Sequence, residues 1–181
     1  QNNGVVGGII KKLSGGSAWN AGAYSLEKLI GAGSLDFEVT EANTHRMVGL
    51  SSTTGNSSYE TIEYTFYLLA SGALYIRESG VNRGSFGTYS SGDIFEIERS
   101  SDGVVSYIKN GETIYTSTVI SSTDNPLLVD VSLYENGSTL NDVKLTNASG
   151  VQEAVTWVTD NSVEAHRLGS DLSVAYQDLN A

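Results

Sequence analysis

From Leu35 to Thr146 apolar and polar residues alternate with a period of two, the repeat of a strand with one face in a core and the other in water. Leu35, Phe37 and Val39 alternate with Asp36, Glu38 and Thr40, and Met47, Val48 and Leu50 follow the turn-like Glu41-Ala42-Asn43-Thr44. Ser51 to Ser58 is small and polar and reads as an exposed loop. Tyr64 to Leu69 and Leu74 to Glu78 flank Ser71-Gly72 and predict a hairpin. Further on, Ile94, Glu96 and Glu98 share one face while Phe95, Ile97 and Arg99 share the other. Ser101-Asp102-Gly103 is a turn before a strand at Val104 to Lys109, and Asn110-Gly111 suits a type I′ hairpin whose central residues need positive φ. Thr113 to Val119 returns from it, and Leu127 to Tyr134 and Val143 to Thr146 complete the set. About eight to ten strands at this spacing predict an all-β, antiparallel two-sheet β-sandwich. The one helix candidate is Ser25 to Ile30.

Composition narrows the picture. The 181 residues suffice for one domain, with 10 Lys and Arg against 21 Asp and Glu for a net charge of −11. That balance argues against nucleic acid and anionic membrane surfaces as partners, and no stretch reaches the roughly 18 apolar residues of a membrane span. The absence of Cys excludes a disulfide framework and a thiolate site. Starting at Gln1, the chain reads as a processed product or an excised fragment, and its acidic, Ser/Thr/Asn-rich character suggests a secreted, extracellular or cell-surface location.

Three stretches carry a resemblance: Gly15-Gly16-Ser17-Ala18-Trp19-Asn20-Ala21-Gly22-Ala23-Tyr24, Arg46-Met47-Val48-Gly49-Leu50, and Gly92-Asp93-Ile94-Phe95 through the Lys109-Asn110-Gly111 hairpin to Tyr115. Together, over roughly residues 9–146, the chain resembles concanavalin A-like (laminin-G-like) jelly-roll modules of secreted bacterial proteins. The resemblance implies a jelly-roll sandwich. It implies little about function, because the superfamily hosts lectins, glycosidases, adhesion modules and structural domains.

Such modules usually open with a Val-Thr-Trp-type strand. Here the front is Gly-rich, and Val155-Thr156-Trp157-Val158 appears after the last sandwich strand, followed by an apolar run at Leu172 to Tyr176. The expected organisation is therefore a β-sandwich over 1–150 and a C-terminal strand extension over 151–181. That extension completes its own sheet, adds to the open edge of a neighbouring copy, or begins the next module of a tandem array.

Catalytic constellations are weak. Asp36 with Glu38, and Glu96 with Glu98, are paired carboxylates, yet neither lies in the Glu-x-Asp-x-x-Glu pattern of jelly-roll glucanases, and each reads more simply as the wet face of a strand. His45 and His166 have no Gly-x-Ser-x-Gly elbow or paired-His spacing beside them. No cofactor is expected. Calcium is possible at Ser122-Thr123-Asp124-Asn125, Thr159-Asp160-Asn161-Ser162 or Gly169-Ser170-Asp171, although Asx-type turns explain the same residues. For glycan contact the candidates are Trp19, Asn20, Arg77, Asn82, Arg83 and Tyr89, with Tyr59 and Tyr134 also beside loops; Glu78 to Gly84 reads as a loop rim holding both Arg side chains. Core packing is the simpler expectation for Trp19 and Trp157.

The expected function is a non-catalytic structural or adhesive subunit that assembles head-to-tail with copies of itself by strand donation. The alternative is a lectin-like module binding polysaccharide within a larger secreted protein.

Overall fold

The computed structural model describes residues 7–53, 57–159 and 162–167. In chain order the strands are β1 (Gly8–Lys12), β2 (Ala21–Leu29), β3 (Gly33–Glu38), β4 (Arg46–Ser51), β5 (Tyr64–Leu68), β6 (Ala73–Glu78), β7 (Val81–Thr88) and β8 (Ile94–Arg99). They continue as β9 (Val105–Lys109), β10 (Glu112–Thr116), β11 (Leu127–Leu133), β12 (Thr139–Asn147), β13 (Gln152–Ala154), β14 (Trp157–Thr159) and β15 (Val163–Arg167). A 3-10 turn at Tyr59–Thr61 precedes β5.

The strands form two antiparallel sheets. One runs β10-β9-β8-β3-β12-β1-β15, with β13 added to β12, and the other β14-β2-β11-β4-β5-β6-β7. Alternation does what the sequence pattern requires: Leu74, Ile76 and Glu78 of β6 point inward while Ala73, Tyr75 and Arg77 point outward. The two inner faces meet in an aromatic centre. Phe37 stacks on Phe95 at 5.3 Å, and Phe66 of the opposite sheet meets Phe95 and Tyr107 edge-on at 4.9 and 5.2 Å. The architecture is a β-sandwich.

Two local expectations give way. The helix candidate Ser25 to Ile30 lies in β2, because β11 pairs along it from Leu127↔Leu29 to Leu133↔Ala21 and holds the backbone extended. Its helix-like spacing comes from a bulge, in which three residues (Ser25 to Glu27) oppose Val129 alone. The Val129 N–H, left without its ladder carbonyl, donates to Ser25 Oγ at 2.8 Å. The expected rim loop Glu78 to Gly84 is instead a two-residue turn, with Ser79 and Gly80 at φ 47° and 78°, leading directly into β7.

The segment after Gly150 pairs within the chain. β13 lies on β12, β14 places Trp157, Val158 and Thr159 beside Ser25, Tyr24 and Ala23, and β15 pairs with the whole of β1. Val155 and Trp157 are buried in the core cluster, and Thr156 accepts a backbone hydrogen bond from Leu26 at 2.9 Å. Gly8 makes room for this strand, since a Cβ there would lie 2.6 Å from the Val155 carbonyl and 2.9 Å from the Trp157 indole nitrogen. The apolar run Leu172 to Tyr176 lies outside the described residues.

Among the described residues three cations are fully buried, and each binds chain that crosses an end of the sandwich. Arg46 donates to the carbonyls of Glu41 and Thr139 and to Tyr89 Oη, and pairs with the Glu41 carboxylate at 3.2 Å. Arg99 donates to the carbonyls of Leu29, Gly31, Ser122 and Asn125 and to Ser121 Oγ, tying the crossing between β10 and β11 to β2. Lys12 shapes the site described next.

Candidate functional site

On the outer face of the seven-stranded sheet the same parity that buries Phe66 and Ile76 turns Tyr67, Tyr75 and Arg77 outward. The loop between β1 and β2 lays Trp19 over this surface. Its ring centroid lies 5.2 Å from Tyr59, 5.9 Å from Tyr67 and 5.1 Å from Tyr134. His45 joins from beside β4, 5.5 Å from Tyr134, with Nδ1 held 2.6 Å from Glu135 Oε1. Arg77 closes the cluster with its guanidinium 5.7 Å from the Tyr59 centroid and 5.4 Å from that of Tyr67. Every ring in this patch is half-buried.

Rings mounted on loops hold a shape only if the loops are fixed. Lys12 does this from inside: its Nζ donates to the carbonyls of Ala18 (2.8 Å) and Tyr134 (2.7 Å) and to Asn20 Oδ1 (2.7 Å). Those acceptors flank Trp19 on both sides and include the backbone of Tyr134, so one buried ammonium sets the spacing of two rings. The Tyr59 turn is anchored separately, through Ser132 Oγ donating to the Ser57 carbonyl at 2.7 Å and through close approach at Gly22, where a Cβ would lie 3.0 Å from Ser57 Cα. Lys12→Met would leave these acceptors without a donor in a dry site. Chemical denaturation is expected to show a loss of about 2 kcal/mol, with the Trp19 fluorescence shifted toward that of an exposed indole.

The other glycan candidates are scattered. Of the six, Trp19 and Arg77 meet in the patch. Asn20 is beside it but turned to Lys12 and to the Gly15 carbonyl. Arg83 pairs with the buried Glu78 at 2.8 Å, and Asn82 accepts from the Gly84 N–H at 2.9 Å. Tyr89 offers no stacking surface: its ring is 3% exposed beneath Arg46, and its hydroxyl donates to the Leu69 carbonyl. Trp157 is core, at 4% exposed. Tyr67, Tyr75 and His45 were not among the candidates, although strand parity marks the two tyrosines as outward-facing.

Asp130 lies on the outer face of the same sheet, in β11 between Gly49 and Tyr24. It is 6% exposed and accepts from Ser51 Oγ at 3.0 Å. Burial pushes its carboxyl up to about 7, and the nearby Glu63 charge adds to the rise.

The paired carboxylates occupy the outer face of the other sheet. Asp36 and Glu96 are direct cross-strand partners, and burial raises both, with their mutual repulsion adding to the rise in Glu96. A shallow depression of about 620 Å³ beside them is lined by Gly33, Ser34, Glu96, Glu98, Thr146 and Asn147. Asp36 accepts from the Ser34 and Thr146 hydroxyls, and no histidine is among the residues lining the depression. Among the described residues no group of three or more acidic and histidine side chains is arranged to hold a metal ion. At Ser122 to Asn125 the carbonyls of Ser122 and Asn125 are taken by Arg99.

No family model matches the sequence, and no curated protein matches it. Solved structures do. The native heptameric SAP-like pentraxin from Limulus polyphemus is 12% identical over 89% of this chain and 95% of its own, with a TM-score of 0.52. The PSpry domain of TRIM65 is 14% identical over 69% of this chain and 70% of its own, with a TM-score of 0.51. The fold is a concanavalin A-like jelly roll. At these identities the likeness is one of fold. Within this jelly roll the aromatic patch spans the outer face of one sheet, and the acidic strands occupy the outer face of the other. No helix among the described residues is long and apolar enough to cross a membrane.

Proposed function

We propose that this jelly roll is a non-catalytic carbohydrate-binding module, secreted or displayed at a cell surface, whose ligand lies on the patch of Trp19, Tyr59, Tyr67 and Tyr134. The observation that carries the reading is the placement of Trp19. A tryptophan free to sink into a core is instead held half-exposed over three tyrosines, on loops braced by a buried lysine. Aromatic faces stack on the apolar C–H faces of sugar rings, and the hydroxyls of Tyr59, Tyr67 and Tyr134 and the His45 ring supply hydrogen-bonding groups at the edge of such a platform. The acidic face lacks comparable equipment for catalysis. Affinity electrophoresis against a panel of polysaccharides tests the reading. Wild-type protein is expected to be retarded by at least one of them, and Trp19→Ala to weaken that binding roughly 30-fold; equal retardation of both proteins would contradict it.

Assembly with copies of itself is the second reading. Because Val155 and Trp157 pack in their own core, donation of this strand to a neighbour would be an exchange of the segment after Gly150, hinged at the Asn147–Gly150 turn. A mass that rises with concentration in light scattering, and that no longer does so when the chain is ended at Gly150, would support it.

A further inference from the structure

In a chain with 10 Lys and Arg against 21 acids, a cation without an acidic partner stands out. Arg46, Arg83, Lys109 and Lys144 form ion pairs, and Lys12 and Arg99 are enclosed by oxygen acceptors. Arg77 has neither. It forms no ion pair or hydrogen bond with any described residue, and its Nε is buried without a partner. Its cross-strand neighbours are Thr65 and Asn82, both neutral, and its guanidinium rests against the faces of Tyr59 and Tyr67. A half-buried guanidinium loses hydration that two aromatic faces replace only in part. It also presents a planar fork of donors suited to a carboxylate or a sulfate.

We propose that Arg77 receives an acidic substituent of the bound carbohydrate, so that the ligand of this jelly roll is an acidic polysaccharide bearing carboxylate or sulfate groups. The inference rests on the platform reading above, since Arg77 is contiguous with Trp19 through Tyr59 and Tyr67. The net charge of −11 repels polyanions at long range. Retention of an acidic polymer would therefore have to come from a local contact.

The test uses two matched pairs of polymers, dextran with dextran sulfate and methyl-esterified polygalacturonate with polygalacturonate. Binding is measured by calorimetry for wild type, Arg77→Gln, Arg77→Lys, Trp19→Ala and the exposed control Lys11→Gln. Circular dichroism confirms that each variant is folded. Wild type is expected to prefer an acidic polymer over its neutral partner. Arg77→Gln is expected to weaken that binding about 10- to 100-fold, Arg77→Lys to fall between, and Lys11→Gln to match wild type. Preference for polygalacturonate alone identifies a carboxylate, and for dextran sulfate alone a sulfate. Trp19-dependent binding that is equal for neutral and acidic polymers and indifferent to Arg77→Gln overturns the acidic ligand while leaving the platform standing. An absence of any Trp19-dependent binding overturns both.

Discussion

Arg99→Met is expected to cost about 4 kcal/mol of folding stability. Arg99 is fully buried without a carboxylate nearby, and its charge is solvated wholly by the protein: four backbone carbonyls and one hydroxyl between 2.7 and 3.3 Å. Methionine fills most of the volume and removes the charge, so the loss measures the acceptors left dry. The crossing from Ser117 to Asn125 has few other ties to β2, and it would loosen with them. For a domain of this size the melting temperature should fall by roughly 10 °C. Arg99→Lys keeps the charge but cannot span acceptors spread from Gly31 to Asn125, and should recover only part of the loss. A Met variant as stable as wild type in calorimetry would show that the guanidinium does not hold the crossing.

Asp130→Asn is expected to have almost no effect at pH 4 and to stabilise the protein at pH 8. The folded carboxyl titrates near 7, well above the 3.8 of an exposed aspartate. Below about pH 4 both folded and unfolded chains hold the proton, and the native contacts of Asp130 contribute in full. Between pH 4 and 7 the unfolded chain releases the proton while the folded chain keeps it, so stability declines as pH rises. Above pH 7 the deficit is constant, on the order of 4 kcal/mol at about 1.4 kcal/mol per pH unit. Asparagine still accepts the Ser51 hydroxyl and carries no charge to bury. Denaturant midpoints across pH 4–8 should therefore diverge, with the variant the more stable by roughly 3 kcal/mol at the upper end. A variant less stable than wild type at pH 8 would contradict the assignment. Asp36 and Glu96, also raised by burial, add a decline of the same sign from the opposite sheet.

Much of this was legible in the sequence, because period-two alternation is a direct consequence of pleat geometry. Phe95, Ile97 and Arg99 face inward and Glu96 and Glu98 outward as the pattern requires, and Asn110-Gly111 turns with φ 50° and 81°. Ser25 to Ile30 suggests a helix because the spacing around Leu26 and Leu29 is helical only through the bulge opposite Val129, which belongs to the pairing with β11 and not to the local chain. β7 was hidden for a related reason: Val81 to Thr88 is a largely exposed edge strand with two glycines, and it buries too little to alternate. The site was half legible. Trp19 and Arg77 are 58 positions apart in sequence, and their convergence depends on Lys12, whose burial no composition argument reveals. Tyr67 and Tyr75 carried a usable signal in their parity with Phe66 and Ile76. Tyr89 misled because a tyrosine next to a glycine turn looks accessible, whereas its hydroxyl is drawn inward by Arg46 and the Leu69 carbonyl.

The most direct test of the platform uses the two tryptophans against each other. In a ¹H–¹⁵N spectrum the chain should give two indole signals, one from half-exposed Trp19 and one from Trp157, which is 4% exposed in the core. Titration with the polysaccharide that retards the protein most is expected to shift the Trp19 signal progressively to saturation while the Trp157 signal stays in place. A saturating titration that leaves the Trp19 indole unmoved would place the ligand elsewhere and contradict the account.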